Sequence, residues 1–141
     1  MADNREISEL IARAVALNLS GSVFVAEHSV DEVRKAYNGV GPQFLPPRLR
    51  DFVTKTLGLF EPAAMIHDFR FDQSDGSRAA FDFANREFVE NCTKLAYDRY
   101  GPLNPKRYRA KAVIRFMEDF NSGDPGWRAW REAYDKNRGT K

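Results

Sequence analysis

Thiol and imidazole groups are scarce in this chain: Cys92 is the single cysteine, and His28 and His67 are the only histidines. One cysteine excludes an internal disulfide, so stability must come from packing, which suits a reducing compartment or a virion. Long apolar runs are missing as well. The stretch from Ile7 to Leu19 is interrupted by Glu9 and Arg13, and the first six residues carry acid where a secretory leader carries base. Neither an export signal nor a transmembrane segment is therefore expected, and the expected location is cytoplasmic or virion-associated. No repeat or low-complexity segment appears. What is present is enough for a core: 43% of the 141 residues are hydrophobic and 13% aromatic, with eleven Phe, too rich for a disordered chain. A chain of this length buries roughly 68% of its unfolded surface, which one domain over 1–141 can accomplish.

The net charge of +2 hides an asymmetry. Residues 102–141 hold ten Lys/Arg against five Asp/Glu, leaving twelve against fifteen, or −3, in the first 101. The C-terminal helices expected over 104–138 thus present a basic face, with Lys106, Arg107, Arg109, Lys111 and Arg115 at its centre. Such a face suits phospholipid headgroups or another anionic surface, or no ligand at all if it is simply solvated. No base-reading motif accompanies it, so sequence-specific nucleic-acid recognition is not expected.

Helical periodicity dominates the chain. Ile7, Leu10, Ile11, Ala14 and Val15 share one face of an amphipathic helix over 4–18. Val23-Phe24-Val25 reads as a short extended piece, and Ser29 with Glu32 forms a capping box for a short helix to about Ala36. Gly39, Gly41, Pro42, Pro46 and Pro47 then shape a loop, since the glycines permit backbone angles closed to other residues and the prolines forbid a continuing helix. A helix opening at Pro47 or Arg48 should end at Gly58, with another from about Glu61 to Phe71. Asp75 or Ser77 can cap the next, in which Phe81, Asn85, Phe88, Cys92 and Leu95 form an inward stripe. Asn85 is the stripe's only strongly polar member. Asn104-Pro105 and Asp124-Pro125 start two further helices, the last holding Trp127 and Trp130, which are expected to pack rather than to anchor at a lipid interface. The class is mainly α.

The position that invites chemistry is His67, beside Asp68 and preceded by the apolar run Ala63-Ala64-Met65-Ile66. A histidine in such surroundings is most often a hydrogen-bonded core residue. What precedes and follows it argues for more. From Tyr37 to Cys92 the chain resembles the phospholipase A2 superfamily in the order of its parts, a Tyr-x-Gly-x-Gly loop followed by a His-Asp helix and then an antiparallel helix. The loop matches as Tyr37-Asn38-Gly39-Val40-Gly41 and the dyad helix as His67-Asp68-Phe69-Arg70-Phe71-Asp72. The resemblance extends to the disulfide-free viral and phage-type branch, Asp72 included, with Ala63-Ala64 where other members keep a cysteine pair.

The resemblance implies a phospholipase A2-like core of two antiparallel helices over 37–100, with extra helices at either end. It implies a Ca²⁺-dependent acyl-ester hydrolase acting on phospholipid. Asp68 and the carbonyls of Gly39 and Gly41 would form a hard-oxygen Ca²⁺ site beside Tyr37, and His67 would act as general base on water. The partner that fixes the imidazole is expected at Asn85, where the family has an aspartate. An amide can hold the ring but lacks the charge that stabilises an imidazolium, and in a related triad Asp→Asn costs ~10⁴ in turnover. Asp82 lies one turn earlier but off the stripe, and Phe71 replaces the family tyrosine.

Two alternatives belong beside this reading. A non-catalytic phage or virion component of the same fold would use the basic face for docking. A metal-dependent phosphohydrolase of the HD type is suggested by Val25-Ala26-Glu27-His28-Ser29 followed by His67-Asp68, with Asp98 or Asp119 completing the ligand set.

Overall fold

The computed structural model describes residues 3–37 and 47–139, and in them every regular element is a helix. Helix α1 (Asn4–Ala16) is opened by the Asp3 carboxylate, which accepts from the Glu6 amide, and it buries Ile7, Leu10 and Ala14. Of the face the periodicity indicated, Ile11 is partly buried against the same core and Val15 is 47% exposed. Helix α3 (Val30–Ala36) starts at Ser29, whose hydroxyl accepts from the Glu32 amide at 3.2 Å and donates to the Glu32 carboxylate at 3.0 Å.

Between them, residues read as extended form a short helix, α2 (Ser22–Ala26). Gly21, at φ +85°, turns the chain so that Val25 enters the core, and that tertiary burial overrides the β preference of two valines and a phenylalanine. Only glycine suits the corner: a Cβ there would stand 2.9 Å from both Glu87 Oε1 and Ile66 Cγ2.

The second departure is larger. One continuous helix, α4 (Pro47–Asp72), replaces the two that were expected, running through Gly58 and Pro62. Glycine and proline inside a helix cost about 1 and 3 kcal/mol. Against this, Phe60, Met65, Ile66 and Phe69 are essentially fully buried, each by about 1.5–3 kcal/mol. Burial wins.

Ser77 caps α5 (Arg78–Arg99), accepting from the Ala80 amide. With only residues 73–77 between them, α4 and α5 form an antiparallel pair. Asn104 caps α6 (Pro105–Ser122), with proline in the first turn, and α7 (Asp124–Gly139) follows directly. Helices α1 to α3 cover one side of α4, while α6 lies against α5. The main core joins Ile7, Val25, Val33, Met65, Phe69, Cys92, Leu95 and Val113. A smaller cluster of Phe81, Ala84 and Trp130, with Phe71 and Trp127 alongside, fixes α7 at the turn between α4 and α5. No helix among the described residues is long and apolar enough to cross a membrane.

Candidate functional site

The inward stripe of α5 puts Asn85 against α4, where its Oδ1 lies 2.9 Å from His67 Nε2. The amide's other end donates to the Asn121 carbonyl of α6 at 3.2 Å, so the oxygen must face the histidine. Nε2 therefore carries the proton and donates, which leaves Nδ1 as the lone-pair nitrogen. Among the described residues, no other side-chain hydrogen bond to His67 is seen. Its ring is held between Phe71 and Phe88, with centroids 4.5 and 4.9 Å away. Burial against these rings pushes the imidazole down to about 4, opposed by the Asn85 hydrogen bond. His67 is thus a neutral, oriented base at physiological pH.

Asp68, half-buried on the next position of α4, sits near the end of α3. There Tyr37 is 8% exposed, and its hydroxyl has no hydrogen-bond partner among the described residues. Burial raises the Tyr37 phenol, reinforced by the negative charges of Glu61, Asp68 and Glu6. The structure therefore brings Tyr37 into the field of Asp68. Gly39 and Gly41, the expected carbonyl donors, lie outside the described residues. Among those described, no three His, Cys, Asp or Glu side chains are grouped closely enough to hold a metal.

Asp82 is exposed and paired with Arg78 at 3.4 Å, so it does not replace Asn85 at the histidine. His28 is not brought to His67 either. Its Nδ1 lies 2.8 Å from the Phe24 carbonyl oxygen, and its ring packs on Phe24 and Phe69. Two residues of helix separate Phe69 from His67 by roughly 200° around the axis, so the two histidines face opposite sides of α4. Asp98 and Asp119 are exposed on α5 and α6.

One constellation escaped the sequence reading. Glu87, its side chain only 3% exposed, receives Arg70 Nε at 3.0 Å and Nη2 at 3.2 Å, and the Ser20 hydroxyl at 2.9 Å. Asn91, one turn on, accepts from the Ser20 amide at 2.8 Å and donates to the Ser20 carbonyl at 2.9 Å. The Arg70 guanidinium also lies 4.3 Å over the Phe24 ring. These groups tie the antiparallel pair to the turn between α1 and α2. The available signal was spacing: Glu87 and Asn91 stand one turn apart beside the apolar stripe of α5.

A groove of about 680 Å³ runs between α5 and α6 past Val89, Tyr108, Lys111 and Arg115 and touches neither His67 nor Asp68. A smaller cleft of about 250 Å³ reaches Asn85 from the side of Asp82 and Glu118. The candidate site is placed by its hydrogen bonds, since an imidazole oriented through Nε2 is a chemical feature and groove volume is not. Compared with protein-family models, curated proteins and solved structures, the chain matches none.

Proposed function

We propose that this chain is a phospholipase A2-like acyl-ester hydrolase acting on phospholipid, with His67 as general base. The observation that carries the reading is the 2.9 Å contact from His67 Nε2 to Asn85 Oδ1, which leaves Nδ1 free to accept a proton. The antiparallel α4 and α5 then serve as the scaffold the resemblance implies. Nδ1 takes a proton from water as its oxygen attacks the ester carbonyl. The imidazolium returns that proton to the departing alkoxide, giving a fatty acid and a lysophospholipid.

Asn85 orients the ring in this scheme but offers no charge to the imidazolium. With the imidazole near 4, the base is also weaker than one matched to neutral pH, so turnover is expected to be slow. Ca²⁺ is the cofactor this reading implies, held by Asp68 with the Gly39 and Gly41 carbonyls. The negative field that Glu6, Glu61 and Asp68 impose on Tyr37 favours a cation in that region. When bound, the ion supplies polarisation of the ester carbonyl.

The test is fatty-acid release from phospholipid vesicles with Ca²⁺ or with chelator, for the wild type and His67→Ala. Release that needs both Ca²⁺ and His67 supports the proposal; no release under any metal condition ends it. A second reading, a non-catalytic interaction protein of the same fold, is favoured by the bond from Asn85 to the Asn121 carbonyl. That bond makes the pair a packing clamp between α4, α5 and α6, with docking left to the basic C-terminal helices.

A further inference from the structure

The connection between α5 and α6 exposes an apolar tip flanked along the chain by cations. Leu103 is 97% exposed, more than any other large hydrophobic described. A single exposed leucine is ordinary, so its setting decides what it means. Here the tip is held out rigidly. The Tyr108 hydroxyl donates to the Pro102 carbonyl at 2.7 Å, the Asn104 amide to the Gly101 carbonyl at 3.0 Å, and Pro102 and Pro105 fix their own φ angles. Ordering the tip on a surface therefore costs little chain entropy.

Arg99 precedes it and Lys106, Arg107 and Arg109 follow it in the chain, and from 97 to 111 there are five basic residues against the single acid Asp98. Among the described residues, none of the five is ion-paired with a carboxylate. Arg107 and Lys111 lie instead over the Tyr97 ring, at 3.6 and 5.7 Å. The first turn of α6 holds no acid, although the positive end of the helix dipole disfavours the cations gathered there. Local stability does not explain this arrangement.

We infer that the tip at Leu103, with the first two turns of α6, docks on an anionic phospholipid bilayer, the leucine entering the acyl boundary and the cations meeting headgroup phosphates. Charge complementarity alone would also suit a polynucleotide. A protruding aliphatic side chain argues against that partner, because it offers bases no ring to stack on, whereas the acyl region of a bilayer accepts it. The inference stands on this surface and holds whether or not His67 turns over.

Co-sedimentation of the full chain tests it, using vesicles of ether-linked phosphatidylcholine with and without ether-linked phosphatidylserine, in chelator. The wild type should sediment with the anionic vesicles alone. Lys106→Ala and Arg109→Ala should each weaken binding ~5-fold, the effect of removing one cation near such a surface. Leu103→Ser should weaken binding while leaving its salt dependence unchanged. Equal partition to both vesicles, unaltered binding by Leu103→Ser, or capture by a single-stranded oligonucleotide with no vesicle binding would overturn the inference. Ether lipids present no ester and the chelator removes Ca²⁺, so a failed hydrolase proposal does not change this result.

Discussion

At the scale of the residue, His67 is set by two aromatic rings and one amide, with Phe71 and Phe88 against its faces and Asn85 at Nε2. The stripe spacing pointed Asn85 inward, and it meets His67 at 2.9 Å. The third member, the Asn121 carbonyl, is 36 positions further along the chain, where no local pattern signals it. The pair has a pH signature. An exposed histidine titrates near 6.5, and this one, buried against Phe71 and Phe88, near 4. Between those values the unfolded chain takes a proton that the folded chain refuses, so stability is full above about 6.5 and declines as pH falls to about 4. Asn85→Asp sets a carboxylate at Nε2, which raises the histidine and narrows that window. Thermal unfolding from pH 4 to 7, with NMR titration of the ring, checks both; a His67 that titrates near 6.5 in the folded wild type contradicts the account.

At the scale of the element, α4 shows what a local reading misses. Gly58 and Pro62 are stop signals, and they act as such unless a long-range gain exceeds their cost. The contacts of Phe60, Met65 and Phe69 with helices distant in sequence provide that gain. A Cβ at Gly58 would meet nothing within 4 Å, so Gly58→Ala should stabilise the protein by about 1 kcal/mol, read from denaturant midpoints. Loss of stability would mean that the helix needs glycine there. The Arg70 to Glu87 pair couples α4 to α5 more strongly than a surface bridge. Arg70→Met leaves a carboxylate with a 3% exposed side chain short of its counter-charge and should cost about 3 kcal/mol. Adding Glu87→Gln should recover much of that loss, and a double-mutant cycle showing no coupling would refute the role given to the pair.

At the scale of the whole molecule, the mainly α class was readable from periodicity and caps, with Ser29 and Asn104 as helix starts and Ser77 as one of two offered for α5. The arrangement of the seven helices among the described residues was not, because it depends on contacts such as Trp130 on Phe71, at 4.0 Å, between segments 59 positions apart. The two ends of the molecule divide the proposed work. His67 lies between α4 and α5 with Asp68 beside it, while the basic α6 and the Leu103 tip offer the docking edge. The central claim is that His67 is a base held by an amide where a carboxylate would serve better. Fatty-acid release in Ca²⁺ by the wild type, His67→Ala and Asn85→Asp tests it most directly. Slow release by the wild type, none by His67→Ala and faster release by Asn85→Asp is the predicted order. Release by His67→Ala equal to that of the wild type would contradict it.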